Sequence, residues 1–213
     1  MIKFLNCKID SSKKVFEPRI ETEFWVGKAI KEVKKLTETG SLLNVKVLDI
    51  FAGTGCIGIA VLKIYPELCR RVDFADMSKE AVEQIKINLK LNQIPKNKYK
   101  IYKSNLFGKL KGKRYDVVFA NPPYVALDRI SEVQREVLEK DPKKSLFGGR
   151  YGMFWIKKFL KEVKNYLKKG GIFYMEFDPL QKEKIKKILE EENFKFNFYE
   201  DQFQKFRWLK ATY

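Results

Sequence analysis

Apolar positions along the chain recur with helical and strand periods in alternation from residue 21 onward. The first helix is predicted at residues 21–38, where one stripe carries the apolar residues Trp25, Ala29, Val33 and Leu36. Buried strands and amphipathic helices then alternate to the end of the chain. This order predicts an α/β protein with a mostly parallel sheet and helices on both of its faces.

The later elements follow from the same periods and from the turn residues between them. Further helices are predicted from about residue 56 to 65, from Ser78 to about 91, at 152–168 before a Gly170-Gly171 stop, and at 179–192; strands are predicted at 45–51, 72–75, 99–103, 115–120, 172–177, 195–199 and 206–213. The last two strands are too close for a helical crossover, so we expect them to pair antiparallel. The segment at 128–150 is predicted to be mobile or to face a substrate.

The length of 213 residues suits one catalytic domain over 1–213, in which residues 1–40 are an N-terminal segment and helix that cover the active site. No stretch approaches the roughly 20 apolar residues of a membrane span. The first residues lack a sustained apolar run before a small-residue cleavage site. We therefore expect no signal peptide, no membrane partner and, by default, a cytoplasmic location.

The chain has no histidine and only three cysteines, which are dispersed. The absence of histidine excludes a Ser-His-Asp triad, a Cys-His nucleophile and every histidine-ligated metal site. Because Cys7, Cys56 and Cys69 form no Cys-x-x-Cys pair, we expect neither a disulfide framework nor a zinc site. Most hydrolase classes, and a metal centre, are therefore not expected.

The formal charge of +17 bears on which class of partner the protein binds. Lysine and arginine neutralise phosphates, so nucleic acid is an expected alternative partner. Lysines spread along the chain are equally typical of solvated helix faces. The charge alone leaves both interpretations open.

A glycine-rich turn follows the strand at 45–51, at the position where nucleotide-like ligands bind in such sheets. The residues expected to face a cofactor there are Asp49, Phe51, Ala52, Gly53, Thr54 and Gly55. With Gly58 the glycine spacing also fits the dinucleotide fingerprint, so an NAD enzyme is a competitor. An acid directly before the turn would repel pyrophosphate and suits a cationic ligand such as S-adenosylmethionine better.

Two later strand ends are expected to complete the cofactor site. Asp76, followed by Met77, has the spacing of an acid that accepts hydrogen bonds from ribose hydroxyls; its alternative role is to cap the helix that begins near Ser78. Asn105 is expected at the adenine edge, with Leu106 or Phe107 against the adenine face.

The tetrapeptide Asn121-Pro122-Pro123-Tyr124 follows a buried strand and is expected at the same sheet edge. An amide or aromatic amine nitrogen has a delocalised lone pair, so methyl transfer to it requires that the lone pair be localised and aimed. The Asn121 side-chain oxygen and the Pro122 carbonyl are expected to accept both N–H groups while Tyr124 packs against the planar group. The alternative is an ordinary Pro-Pro turn.

Four separated blocks make the chain resemble the HemK/PrmC-type N5-glutamine methyltransferases, which modify the Gly-Gly-Gln loop of peptide-chain release factors. They are residues 18–23, the glycine turn with residues 76–78, the tetrapeptide at 121–124, and residues 141–152. The resemblance implies a Rossmann-like class I methyltransferase fold with seven strands and S-adenosylmethionine as cofactor. It further implies Asn121, Pro122 and Tyr124 around the acceptor glutamine, with Arg19, Glu21, Thr22 and Pro123 also on the substrate side.

The chain departs from the family pattern at several places. Phe51 replaces a usual glycine, Asn105 a usual aspartate, and Tyr151 an acid. Only about fifteen residues precede the match, where bacterial members carry a helical domain that grips the release factor. We therefore also expect that a small activating protein is a potential partner.

Three functions remain after these observations. A protein-glutamine methyltransferase is favoured by residues 18–23 and 141–152, and an adenine-N6 DNA or RNA methyltransferase by the charge. A cofactor-binding module without catalysis is disfavoured because residues 121–124 are all present. An NAD dehydrogenase ranks below these, because no histidine is available as its acid or base.

Overall fold

A computed structural model describes residues 1–67, 69–128 and 146–213. Its strands are β1 (Ile2–Phe4), β2 (Cys7–Ile9), β3 (Val45–Ile50), β4 (Cys69–Asp76), β5 (Tyr99–Lys103), β6 (Tyr115–Ala120), β7 (Leu167–Glu176), β8 (Lys195–Glu200) and β9 (Phe206–Thr212). Its α-helices are α1 (Ile20–Glu38), α2 (Cys56–Ile64), α3 (Lys79–Leu91), α4 (Phe154–Glu162) and α5 (Lys182–Glu191).

The main sheet has seven strands in the order β5-β4-β3-β6-β7-β9-β8. The first five of these pair in parallel, and β9 pairs antiparallel with both β7 and β8. This arrangement confirms the predicted Rossmann-like fold, including the antiparallel end of the sheet. The chain order changes direction between β3 and β6, and such a switch point places a crevice beyond the carboxyl ends of the two strands.

Alternate residues of the central strands pack against different helices, as the period of two requires. Val47 and Phe119 lie in the cluster that includes Trp25 of α1. Leu48 and Val118 lie in a second cluster on the opposite face, with residues of α4 and α5. The sheet is therefore covered on both faces, which explains why nearly every residue of β3 and β6 is buried.

The β1–β2 hairpin at the N-terminus was not predicted from the pattern. Three buried amides on α3 and its C-cap, spaced four residues apart, hold the hairpin and the chain after it: Asn92 accepts from the Lys8 N–H, Asn88 from the Asp10 N–H and Gln84 from the Lys13 N–H. The Asn88 amide also donates to the Thr54 carbonyl in the glycine turn, at 2.9 Å. This ladder brings residues 14–19 to the crevice.

The predicted helix near 152–168 begins within two residues of its expected start, but its C-terminal end and its glycine stop were wrong. The α-helix is only Phe154–Glu162, a 3-10 turn covers Val163–Tyr166, and β7 already begins at Leu167. Gly170 has a φ of +74° within β7, and the pairing register with β6 shifts between Tyr115 and Val117. The glycine pair therefore forms an irregularity inside a strand, which helical periodicity cannot distinguish from a helix end.

Candidate active site

A cavity of about 700 Å3 opens at the carboxyl edge of the sheet. That volume lies within the range typical of small-molecule sites. Its wall includes residues from the segments 14–22, 50–57, 75–81, 103–106 and 121–125, together with Leu146 and Trp155. The ends of β3, β4, β5 and β6 therefore meet the N-terminal segment here.

The glycine turn begins at Phe51, whose φ is +60°. A bulky residue is rarely found in this left-handed region, which explains why glycine is usual at this position. Its ring is held by edge-on and tilted contacts with Trp155 and Phe159, at centroid distances of 6.3 and 6.2 Å. Gly58 serves close packing instead, because a Cβ there would lie 2.4 Å from the Phe74 ring.

Asp76 joins two turns at the cavity wall. Its Oδ2 accepts a hydrogen bond from the Gly53 N–H and its Oδ1 accepts one from the Ser78 N–H, both at 2.9 Å. Burial raises the pKa of this carboxyl, and the backbone donors oppose that rise. The Ser78 side chain in turn caps α3 by accepting from the Ala81 N–H. Asp76 thus braces the start of α3 and also faces the cavity.

Asp49 is almost fully buried in β3 and is absent from the cavity wall. Its Oδ2 accepts from the Gly58 N–H at 2.9 Å, and its Oδ1 has no hydrogen-bond partner among the described residues. Burial raises the pKa of the carboxyl to about 8, and the neighbouring Asp76 charge adds to the rise. Asp49 therefore supports the glycine turn from behind and retains one unsatisfied acceptor.

Most of the predicted cofactor and substrate residues line this one cavity. They are Arg19, Thr22, Phe51, Ala52, Gly53, Thr54, Asp76, Met77, Leu106, Asn121, Pro122, Pro123 and Tyr124. Four predicted residues are not part of its wall, namely Asp49, Gly55, Glu21 and Asn105. Gly55 ends the turn as the N-cap of α2 with a φ of +77°, and Glu21 lies in the first turn of α1.

Ser104 takes the place in the wall that was predicted for Asn105. The Ser104 hydroxyl donates to the Leu106 carbonyl and accepts from the Lys109 N–H, at 2.8 and 3.0 Å. This local turn gives Leu106 a φ of +46° and directs it into the cavity wall, while Asn105 is exposed. Phe107 is fully buried behind the wall and stacks on Tyr166.

The tetrapeptide at 121–124 is backed by the glycine-rich block that follows Leu146. A Cβ on Gly148 would lie 2.4 Å from the Pro123 carbonyl oxygen, and one on Gly152 would lie 2.0 Å from the Tyr124 carbonyl oxygen. The Gln181 amide donates to the same Tyr124 oxygen at 2.8 Å. Glycine is therefore needed at 148 and 152, because any side chain there would collide with the backbone of the tetrapeptide. Residues 129–145, including Asp141 and Pro142 of the same block, lie outside the described residues.

An acid that sequence reasoning missed lies behind the tetrapeptide. Glu176, at the end of β7, is only 1% exposed. Its Oε2 accepts from the Thr22 hydroxyl at 2.7 Å and from the Trp25 indole at 2.6 Å, and its Oε1 accepts from the Tyr124 hydroxyl at 2.9 Å. The Asn121 amide donates to the Thr22 oxygen at 3.4 Å. The available signal in the sequence was an acid directly after the apolar run at 172–175.

Burial shifts the pKa of both partners in this cluster. It raises the pKa of Glu176, against the lowering effect of its three hydrogen-bond donors. It also raises the pKa of Tyr124 well above its ordinary value, with the Glu176 charge as the second cause. The raised pKa keeps the Tyr124 phenol protonated, so its hydroxyl donates to Glu176.

A family model described as "Methyltransferase small domain" matches residues 33–151, which is more than half of the chain. The chain belongs to this methyltransferase family. Two curated relatives are each named "Release factor glutamine methyltransferase". The one from Thermodesulfovibrio yellowstonii is 31% identical over 87% of this chain, and the one from Aquifex aeolicus is 29% identical over 89%. The methyltransferase chain spans 63% and 64% of their respective lengths.

A solved structure supports the fold of this methyltransferase independently. The crystal structure of a methyltransferase from Pyrococcus furiosus aligns with a TM-score of 0.66 at 15% identity, and the alignment covers 98% of this chain and 89% of the other. In the part of the chain that the structure describes, no helix is long and apolar enough to cross a membrane. The same residues contain no group of three or more side chains suited to a metal ion.

Proposed function

We propose that this methyltransferase transfers a methyl group from S-adenosylmethionine to the side-chain amide nitrogen of a glutamine in the Gly-Gly-Gln loop of a peptide-chain release factor. The observation that carries the proposal is the meeting of two sets of residues in one cavity. The glycine turn and Asp76 form one part of its wall, and Asn121, Pro122 and Tyr124 form another. A cofactor and an acceptor group would therefore share one space.

The cofactor residues fit the chemistry of S-adenosylmethionine. Asp76 offers a carboxylate that retains free lone pairs for ribose hydroxyls after its two backbone bonds. Behind the turn, buried Asp49 accepts from the Gly58 N–H and holds the backbone of the glycine turn in place. When bound, the cofactor would supply an electrophilic sulfonium methyl group; its C–S bond would break as the N–C bond forms, leaving S-adenosylhomocysteine, and the acceptor nitrogen would give up one proton.

The tetrapeptide supplies orientation rather than a base. The Asn121 side-chain oxygen and the Pro122 carbonyl accept the two N–H groups of the acceptor, which fixes the plane of the amide. Tyr124 packs its ring beside that plane, while its hydroxyl is committed to Glu176. These preorganised acceptors also stabilise the positive charge that develops on the nitrogen. No histidine is required for this chemistry.

The choice of glutamine rests on the names of the relatives, each a release factor glutamine methyltransferase. A flipped-out adenine would need a flat stacking slot, whereas a side-chain amide reaches the tetrapeptide on a flexible stem. We also propose that a small activating protein binds this methyltransferase and supports its activity.

A nucleic-acid amino group is the second candidate acceptor, and one observation favours it. Four cationic residues, Lys14, Arg19, Lys79 and Lys103, contribute to the cavity wall. Cationic side chains at the wall attract phosphates. It is equally compatible with a protein loop presented near ribosomal RNA.

The test is a side-by-side assay with a cofactor that carries a labelled methyl group. The acceptors are full-length release factor, its loop Gln→Ala variant, duplex DNA and bulk RNA, each with and without the candidate activating protein. We expect label on the release factor and none on the Gln→Ala variant. Label on nucleic acid alone would assign the second function.

A further inference from the structure

Glu176 is surrounded by hydrogen-bond donors that have no other acceptor in this cluster. The Trp25 indole N–H can only donate, and it points to Oε2 at 2.6 Å. The single hydroxyl hydrogens of Thr22 and Tyr124 point to Oε2 and Oε1 at 2.7 and 2.9 Å. A carboxylate accepts all three bonds, whereas a protonated Glu176 would direct its own hydrogen against one of these donors.

The direction of the Thr22 hydroxyl determines what the Asn121 amide can do. Because the only hydroxyl hydrogen of Thr22 goes to Glu176, its oxygen is left as an acceptor for Asn121. The Nδ2 group of Asn121 lies 3.4 Å from that oxygen, so this bond is long and weak. In the opposite orientation, the Asn121 side-chain oxygen would face the Thr22 oxygen, and neither could donate to the other. The repulsion between these two oxygens, more than the weak bond itself, therefore selects the observed orientation.

We infer that Glu176 and Thr22 are positioning residues that fix the Asn121 amide with its oxygen toward the cavity, so that the acceptor subsite binds only groups that donate two N–H bonds. The inference rests on the proposed function, because it assigns Asn121 to the acceptor. It adds a reason for selectivity. A primary amide fits the subsite, whereas a carboxylate or an ester meets two acceptor oxygens and is rejected.

The conservative pair Thr22→Ser and Thr22→Val tests the relay. Serine keeps the hydroxyl, whereas valine keeps the shape and removes it. Displacement of a positioned group costs about 10²-fold in rate, so we expect kcat to fall by that amount in Thr22→Val and to return to within threefold of the wild-type value in Thr22→Ser. Thr37→Val is the matched control, because Thr37 lies in the same helix and donates only to the Lys34 carbonyl. It should leave kcat unchanged.

Glu176→Gln provides a second variant of nearly equal size. Its amide has one oxygen for three donors, so at least one hydroxyl must rotate and the constraint on Asn121 is lost. We expect kcat to fall about 10²-fold while cofactor affinity stays within twofold. Glu32→Gln is the matched control, because Glu32 accepts from the Tyr174 hydroxyl at 3.0 Å in a similar way but lies outside the cavity wall.

A readout that needs no substrate keeps this inference separate from the proposed function. The side-chain NH2 resonances of Asn121, assigned by loss in Asn121→Asp, report which end of the amide faces the interior. In wild type and Thr22→Ser the NH2 hydrogens should exchange slowly with solvent, and in Thr22→Val about tenfold faster. If wild type methylates no release factor, the proposed function fails and these resonances still decide the relay. Wild-type kcat together with unchanged exchange in Thr22→Val would overturn the inference.

Discussion

Replacing Asp76 with alanine removes a brace between two turns and, under the proposed function, a ligand contact. The structure separates these two effects. The Gly53 and Ser78 N–H groups each lose an acceptor at 2.9 Å, so the free energy of unfolding should fall by about 1–3 kcal/mol. Loss of charged hydrogen bonds to the ribose should weaken cofactor binding by a further 1.5–3 kcal/mol, or about 10- to 150-fold in Kd.

A matched control lies at the opposite end of the sheet. Asp116 is also a nearly buried strand acid, and it accepts from the Lys46 N–H and from the Lys168 ammonium, both at 2.8 Å. Asp116→Ala should therefore lose stability to a similar degree without a change in cofactor affinity. The two variants together distinguish a contact with the ligand from a general loss of stability.

Calorimetric titration with S-adenosylmethionine and with its demethylated product, S-adenosylhomocysteine, measures the difference. Thermal unfolding of both variants measures how much stability each has lost and shows that each is folded at the titration temperature. If folded Asp76→Ala binds both ligands as tightly as Asp116→Ala does, the ribose role of Asp76 is wrong.

Three further predictions follow from the site. Asn121→Ala should keep the fold and cofactor affinity but lower the single-turnover rate about 10²–10³-fold, and a rate within twofold of wild type would contradict its role. Phe51→Gly should be about 1 kcal/mol more stable than Phe51→Ala in denaturant unfolding, the reverse of the usual order, because only glycine accepts a φ of +60° without strain. The raised Asp49 pKa of about 8 means that the folded state favours the protonated acid, so its contribution to stability is full below about pH 4 and is lost as pH rises through 8. Asp49→Asn should therefore gain stability relative to wild type across that window, by at most about 1.4 kcal/mol per pH unit, and a pH-independent difference would contradict the shift.

The parts of the site that could be predicted from sequence are those in which residue type and strand position are read together. The glycine turn, Asp76 and the tetrapeptide at 121–124 each follow a buried strand, and parallel strands bring their carboxyl ends to one edge. Their meeting in one cavity therefore follows from the fold class. The predicted stripe on α1 also agrees with the structure, because Trp25 and Ala29 are fully buried.

The parts that could not be predicted depend on contacts between distant segments. Glu176 meets Thr22 across 154 residues of sequence, and no local pattern encodes that pairing. The β1–β2 hairpin has strands of three residues each, too short to show a period. After β5, Ser104 lines the cavity in place of Asn105 because the Ser104 hydroxyl bonds the backbone of the turn. The spacing of apolar residues does not predict a turn that depends on one hydroxyl.

The central claim is tested most directly by locating the methyl group on a protein acceptor. Full-length release factor is incubated with S-adenosylmethionine and either wild-type enzyme or Asn121→Ala, then digested and analysed by peptide mass spectrometry. The account predicts one added methyl group on the glutamine of the Gly-Gly-Gln peptide with wild-type enzyme, and an unmodified peptide with Asn121→Ala. An unmodified glutamine with folded, cofactor-binding wild-type enzyme, with and without the activating protein, would contradict it.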